Sequence, residues 1–217
     1  MFHFATAKSS IKRHIAGTFN IYIHAIKLKV GGVLMLTDNE KKIIDEKIGY
    51  IKKTIKGLQN YDNPCKLADE IDKWLYELAY FYNKLVKKGQ NPSEVIYNLP
   101  PSERPKEGQI AYINLRRGYP KETFDDHWCY ILKDYGTKYL IIPTTSIKAD
   151  SGECNPLYEM DIIDKTPAGK SRLQFTDIRS IDIMRVCRSV HPNSYDVITD
   201  RNDIIQKFQD LILTQEK

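Results

Sequence analysis

Two segments in the first half of the chain repeat apolar residues at the spacing of an α-helix. The first carries five of them at spacings of four, three, four and three: Ile44, Ile48, Ile51, Ile55 and Leu58. Residues at these spacings share one side of a helix, so the pattern predicts a helix with a single apolar stripe. Thr37 and Glu40 form a capping box, whose side chains satisfy the free backbone amides at a helix start.

The second segment follows a turn at residues 60–65. Asn63 and Pro64 are typical of an N-cap and a first helical residue, and Gly89 is typical of a helix end. The apolar stripe between them consists of Leu67, Ile71, Leu75, Leu78, Tyr82 and Leu85. Two striped helices joined by a short turn predict an antiparallel helical hairpin over residues 35–90.

The pattern of apolar residues changes from helical to strand-like after a proline-rich segment. Four prolines fall in residues 92–105, and they interrupt helix and favour extended chain, which predicts a linker over residues 91–106. Alternating or β-branched stretches then predict strands at 108–115, 127–133, 138–146, 158–163 and 171–178. A last helix is predicted from Thr199 or Asp200, with one face formed by Ile204, Ile205, Phe208, Leu211 and Ile212. The prediction is an α+β protein whose domain at 107–217 is a small β-barrel packed under a C-terminal helix.

Residues 1–34 form a basic extension that accounts for the net charge. The chain carries 33 Lys and Arg against 28 Asp and Glu, and residues 1–34 hold five cations and no acid: Lys8, Lys12, Arg13, Lys27 and Lys29. The rest is neutral, so binding of nucleic acid would need a local patch. Gly31-Gly32 before Met35 is what a translated ribosome-binding site would encode, which suggests Met35 as the natural start. The alternative is a genuine basic strand, because residues 19–30 alternate polar and apolar.

The composition is that of an ordinary soluble globular protein. It is 41% hydrophobic and 28% charged, and no apolar run reaches the ~20 residues of a membrane helix. The cysteines lie apart and form no C-x-x-C pair: Cys65, Cys129, Cys154 and Cys187. Reduced thiols in a cytoplasmic protein are therefore expected, rather than disulfides or a zinc site. No metal and no other cofactor is expected, since the C-terminal domain shows no cluster with metal-ligand spacing.

Four motifs follow one another in the C-terminal half. "GQIAYINL" is a strand after a glycine, and "RRGYPKETFDDHWCYIL" places Glu122 in a loop before the next strand. "IPTTS" ends a strand at Thr145, and "SRLQFTDIRSIDIMRV" mixes isoleucines with charges of both signs. In order and spacing, residues 108–213 resemble the MazF/PemK family of toxin endoribonucleases, the mRNA interferases of bacterial toxin–antitoxin systems.

The resemblance implies a fold, a reaction and partners. The fold would be an SH3-like barrel of the MazF/CcdB type, and the protein a homodimer that binds a cognate antitoxin protein. The reaction would be metal-independent cleavage of single-stranded RNA, leaving a 2′,3′-cyclic phosphate and a 5′-hydroxyl. In the last motif, Ile178 and Ile181 would lie in the core, while Ser180, Asp182 and Arg185 would hold a turn near the dimer surface.

The resemblance also implies the site residues, with one departure. The family's catalytic arginine, in an Arg-Pro pair, is replaced by His127 before Trp128, which removes a bidentate phosphate clamp. Histidine can act as an acid or base near neutral pH. The expected catalytic residues are His127, Thr145 and Glu122. The expected substrate-binding residues are Arg116, Arg117, Lys121 and Ser146, of which the two arginines could supply the missing charge.

Two other functions stay open. One is a non-catalytic toxin resembling CcdB, which shares the barrel and binds DNA gyrase. The other is a regulatory or RNA-binding module that has lost catalysis with the family arginine. The hairpin, lying before a compact toxin-like domain, could cover the groove of the barrel and restrain its activity.

Overall fold

The structure is a computed structural model that describes residues 36–213. The chain divides into two compact units, one ending at Thr54 and the other beginning at Ile55. The predictions for residues 1–34 lie outside the described residues. Within 36–213, no helix combines the length and the apolar character needed to cross a membrane.

Helix α1 (Asp38–Lys56) begins at the predicted capping box. The backbone N–H of Thr37 donates to the Glu40 carboxylate at 2.7 Å, and the N–H of Glu40 donates to Oγ1 of Thr37 at 3.3 Å. These bonds satisfy two amides that have no partner within the helix. Donation to the carboxylate from the Thr37 N–H, and also from the Thr37 hydroxyl, lowers the pKa of Glu40. The helix predicted for this segment is confirmed.

Helix α2 (Pro64–Tyr80) also begins where the sequence predicts. The Asn63 side chain accepts a hydrogen bond from the backbone N–H of Lys66 at 2.9 Å, and Pro64 occupies the first helical position. A single π-helical turn, Phe81–Leu85, continues the helix, after which the backbone becomes extended. The helical path therefore ends before Gly89, which lies beyond it at a φ of 78°. The pairing of α1 and α2 as a hairpin stays a prediction.

Residues 91–106, predicted as a linker, pack on the sheet, and we call them the strap. A 3-10 turn, Pro92–Glu94, starts this segment. Leu99 is 4% exposed and belongs to the core. Arg104 donates from Nη2 to both carboxylate oxygens of Asp134 at 2.6 Å. The extended backbone that the prolines favour therefore lies along the sheet as part of its packing.

Seven strands form one antiparallel sheet in the described part of the chain. They are β1 (Gln109–Asn114), β2 (Asp126–Asp134), β3 (Lys138–Ser146), β4 (Glu159–Ile163), β5 (Lys170–Gln174), β6 (Arg179–Asp182) and β7 (Ser194–Asp196). The order is β4–β5–β3–β2–β1–β7, and β6 pairs with β3. The strand predicted over 171–178 ends at Gln174, because a 3-10 turn at Phe175–Asp177 follows β5 and precedes β6. The three residues of β7 are too few to show a pattern in the sequence.

Strand β3 changes partner along its length. Its first half, 138–141, pairs with β6, and its last residues, 144–146, pair with β5. Pro143 lies at the change, where its missing N–H removes one ladder hydrogen bond. Two isolated bridges, Ile113–Val186 and Asp164–Val197, connect segments from opposite parts of the sheet, but strand pairing does not close it.

Both faces of the central strands are buried, so the core has two clusters. On the face that β6 and the strap cover, it includes Leu99, Ala111, Ile113, Cys129, Ile131, Tyr139, Ile141, Ile181 and Ile183. On the other face, under helix α3 (Arg201–Leu213), it includes Ile110, Tyr130, Ile142, Ile162, Leu173 and Ile204. The C-terminal helix is confirmed, and the sheet does not cover the end of its predicted apolar face, since Ile212 is 63% exposed. The α+β class is confirmed, whereas the barrel stays a prediction.

The mixed stretch at 177–186 contains a short strand and a turn. Ile181 is 3% exposed in the core, and Ile178 packs against the cluster under α3. The Asp182 side chain accepts from the backbone N–H of Met184 at 2.8 Å and caps a 3-10 turn at Ile183–Arg185. The isoleucines therefore contribute to the core, while the charged residues shape the turn.

Candidate active site

A groove of about 460 Å³ lies where the end of β3 meets β5. Thr145 pairs with Arg172 of β5, so the two side chains share one face of the sheet. Four residues that the sequence predicts for the site line the groove: Lys121, Glu122, Thr145 and Ser146. Two come from the β1–β2 loop and two from the end of β3, and the fold brings these separate motifs together.

The β1–β2 loop is fixed against the sheet beside this groove. The backbone N–H of Thr123 donates to the Asp177 carboxylate at 3.1 Å, and the Thr123 hydroxyl donates to the same oxygen. Nη2 of Arg179 donates to the carbonyl oxygen of Thr123 at 3.1 Å. Glu122 accepts from the backbone N–H of Tyr119 at 3.1 Å and closes a turn of the loop. The loop therefore has a defined position relative to Thr145.

Arg172 forms one wall of the groove, and sequence reasoning missed it. Its Nε donates to Asp161 at 2.6 Å, its Nη1 donates to the carbonyl oxygen of Gly152 at 2.9 Å, and Glu159 lies 3.6 Å away. The hydrogen bond from Arg172 holds the pKa of Asp161 below its usual value. The charge of Arg172 is thus compensated, and this residue braces the groove.

The groove also contains groups that are free to bind a ligand. Within residues 36–213, the hydroxyls of Thr145 and Ser146 have no hydrogen-bond partner, and the ammonium group of Lys121 has no ion-pair partner. Two hydroxyl donors beside one cation suit an anionic or phosphoryl ligand.

His127 lies in β2 opposite Ile113 of β1 and is partly exposed. The last residue pair between β2 and β3 is Cys129 with Pro143. His127 and Thr145 each lie two residues beyond this last pair, so they follow the same face of their strands, but the β2–β3 pairing does not extend to them. The imidazole has no partner among the described residues, and it does not line the groove.

Arg116 and Arg117 lie away from the groove. Arg116 has a φ of 68° and forms an ion pair with Glu77 of α2. Arg117 lies 2.9 Å from Asp125, and its guanidinium lies over the ring of Phe124, 4.6 Å from the centroid. The structure therefore separates these two predicted substrate-binding residues from the four that meet in the groove.

Helix α2 contacts the β1–β2 region through charges rather than through its apolar stripe. The contacting residues, spaced by four, three and four, are Lys66, Glu70, Lys73 and Glu77. Lys66 lies 2.6 Å from Asp125, Lys73 lies 3.1 Å from Asp126, and Glu70 accepts from the Asn114 amide at 3.3 Å. These spacings place the four residues on one side of the helix. The apolar repeat of α2 does not predict this contact. The sequence feature that indicates it is the alternation of positive and negative charge at helical spacing.

The cysteines near the site are not activated nucleophiles. Burial raises the pKa of Cys129, which is fully buried, and it raises the pKa of Cys187 to about 12. Both thiols therefore stay protonated near neutral pH. Among residues 36–213, no group of three or more His, Cys, Asp or Glu side chains is placed to hold a metal ion.

No protein-family model and no curated protein matches the chain.

Proposed function

We propose that the protein is an endoribonuclease toxin of the MazF/PemK type, which cleaves single-stranded RNA at preferred sequences without a metal ion. The observation that carries the proposal is the meeting of Lys121 and Glu122 with Thr145 and Ser146 in one groove. These residues come from two separate motifs of the resemblance, the β1–β2 loop and the end of β3.

The fold that goes with this proposal is an SH3-like barrel, preceded by the helical hairpin. The partner change along β3 and the isolated bridges Ile113–Val186 and Asp164–Val197 support a barrel, because each bridge connects segments that a flat sheet would hold apart. A homodimer and a cognate antitoxin protein belong to the same proposal.

In the proposed reaction, the 2′-hydroxyl of the RNA attacks the adjacent phosphorus, and the bond from phosphorus to the 5′-oxygen breaks. A base takes the proton of the 2′-hydroxyl, and an acid gives a proton to the leaving 5′-oxygen. Glu122 and His127 are the candidates for these two roles. The Thr145 hydroxyl donates to a phosphoryl oxygen, whose negative charge increases in the transition state.

The test is single-turnover cleavage of RNA with mapping of 5′-hydroxyl ends, in the presence and absence of excess EDTA. His127→Ala is expected to lower the rate by ~10²–10⁴-fold, the contribution of one positioned proton-transfer group. Thr145→Ala is expected to cost less, on the order of 10²-fold for one donor. The matched control is Thr137→Ala, since this exposed threonine lies near the other end of β3.

His127→Arg distinguishes two roles at this position. It restores the family residue, so a role in charge alone predicts retained activity, whereas proton transfer predicts loss and an altered pH profile. Wild-type rates in His127→Ala would show that the assigned residue is wrong. Loss of cleavage in EDTA and its recovery with magnesium would refute metal independence.

A second candidate is a non-catalytic module of the same fold, either a gyrase-binding toxin of the CcdB type or an RNA binder. One observation favours it: Arg172 is fully engaged in the groove, and Arg116 and Arg117 are both paired with carboxylates. An RNA pool that shows no new 5′-hydroxyl ends after incubation with the pure protein would favour this candidate.

A further inference from the structure

Arg116 is a mostly buried guanidinium with more donors than acceptors around it. Its side chain is 19% exposed, and its Nη2 donates to the Glu77 carboxylate. Nε and Nη1 are buried and have no hydrogen-bond partner within residues 36–213. A guanidinium has five N–H donors, three of which are on these two nitrogens. The surroundings of Arg116 therefore lack acceptors.

Two further arginines lie on the same side of the protein. Arg185 directly precedes Val186, which bridges to Ile113 of β1, and its guanidinium is close enough to that of Arg116 for the two charges to interact. Arg185 has no hydrogen-bond or ion-pair partner in the described chain, and burial together with the charge of Arg116 lowers its pKa. Arg179 lies beside the groove, because it donates to the carbonyl oxygen of Thr123, which lines the groove.

The charges in this arginine cluster (Arg116, Arg179 and Arg185) balance only with the help of α2. Asp177 lies 3.9 Å from Arg179, and it also accepts hydrogen bonds from Thr123. Asp182 accepts from the Tyr97 hydroxyl and from the N–H of Met184. These two acids are fixed by the sheet region. The third acid is Glu77 on the helix, and without it the cluster has one positive charge in excess.

A phosphodiester matches what Glu77 provides. It carries one negative charge, and its two free oxygens can accept a pair of parallel N–H donors from arginine, as a carboxylate does. We propose that the arginine cluster is a binding site for a backbone phosphate of single-stranded RNA, and that Glu77 occupies this site in the structure.

This inference rests on the proposed function, because it takes RNA as the ligand. The cluster would extend the groove, with Arg179 linking the two. Since Glu77 occupies Nη2 of Arg116 and the other two guanidinium nitrogens are buried, RNA reaches this guanidinium only when Glu77 moves away. Docking of α2 and binding of RNA at this site therefore exclude each other.

The experiment measures binding without cleavage. The probe is a fluorescent single-stranded RNA oligonucleotide with 2′-O-methyl groups at every position, which lacks the attacking hydroxyl. Its fluorescence anisotropy is followed with the full chain, with Glu77→Gln and with the control Glu70→Gln. Glu70 lies on the same side of α2, but it accepts from the neutral amide of Asn114.

Glu77→Gln is expected to bind the probe about tenfold more tightly, with Glu70→Gln unchanged. The slope of log affinity against log salt should steepen by about 0.7 for each additional phosphate that the protein neutralises. Adding Arg116→Gln or Arg185→Gln to Glu77→Gln should return the affinity to that of the native chain. Glu77→Asp keeps the charge on a shorter side chain, and its affinity for the probe should lie between those of the native chain and Glu77→Gln. This variant replaces Glu77→Gln in the test if Glu77→Gln does not fold.

Equal tightening in Glu70→Gln would overturn the site, because it would show a general effect of charge. No tightening in either Glu77 variant would also overturn it, as would tighter binding of a polyglutamate peptide but not of the RNA. The two proposals fail separately. Tighter binding without cleavage of ordinary RNA refutes the ribonuclease alone, and cleavage without tighter binding refutes the arginine site alone.

Discussion

Replacing Ile204 by alanine tests how α3 is held on the sheet. Ile204 is 0% exposed and packs among residues of β1 to β5, whereas the other apolar residues of the helix are only partly buried or exposed. The substitution removes three carbons, which at about 0.8 kcal/mol each lowers the free energy of unfolding by about 2.4 kcal/mol. The unfilled cavity adds to this loss, so the expected total is about 3 kcal/mol. For a chain of this length, that lowers Tm by roughly 6–12 °C.

Urea unfolding followed by tryptophan fluorescence provides the assay. The chain has two tryptophans: Trp128 packs against the cluster under α3, and Trp74 is 46% exposed on α2. In a Trp74→Phe background, the signal therefore reports on the cluster that Ile204 joins. The matched control is Ile212→Ala on the same helix, expected to change stability by less than about 0.5 kcal/mol. A loss below about 1 kcal/mol in Ile204→Ala, or equal losses in the two variants, would refute the packing of α3 described above.

Two further predictions concern thiols and acid stability. At pH 8, a thiol reagent should modify the exposed Cys65, whereas Cys129 and Cys187 should react only after unfolding, because burial raises the pKa of both thiols. Peptide mapping by mass spectrometry identifies the labelled cysteines. Rapid labelling of Cys129 in the native protein would contradict the prediction. Arg172 lowers the pKa of Asp161 below its ordinary 3.8. The ion pair of these two residues therefore stabilises the folded protein above pH 3.8, and this stabilisation is lost as the pH falls through the lower pKa of Asp161 in the folded state. Asp161→Asn should flatten the acid side of a Tm–pH profile relative to the exposed control Asp150→Asn, and parallel profiles in the two variants would exclude the effect.

Local patterns were sufficient to predict most of the secondary structure. The capping box at Thr37 and the Asn63-Pro64 pair mark helix starts by short-range hydrogen bonds and fixed dihedral angles, which the sequence alone specifies. The strand at 138–146 is predicted at its observed bounds, since its β-branched and aromatic residues are buried on both faces. Strand β7 could not be predicted, because its three residues are defined by pairing with β1.

The candidate site was predicted only where motifs supplied its residues. Thr145 and Lys121 were found in this way, and they meet in the groove. Arg172 was missed because an arginine within a strand is typical of a solvent-facing position, and only the register with Thr145 places it in the groove wall. Arg116 was expected to bind substrate, but its pairing with Glu77 depends on how a distant helix docks. The alternation of charge along α2 marks the side of the helix that makes the contact, but it does not specify Arg116 as the partner.

The strap has a consequence for how the protein can be cut. Leu99 fills the core, the Tyr139 hydroxyl donates to the carbonyl oxygen of Pro105 at 2.9 Å, and the Asn193 amide donates to that of Glu103 at 2.8 Å. A chain shortened to begin at Lys106 would lose these contacts and expose apolar surface, so the sheet needs the strap in order to fold as a separate fragment. We expect a protease that separates α2 from the sheet to cut around Gly89, between the last helical turn and the strap. Such a cut would leave α2 held by its ion pairs, so breaking the covalent connection and releasing the helix are two separate events.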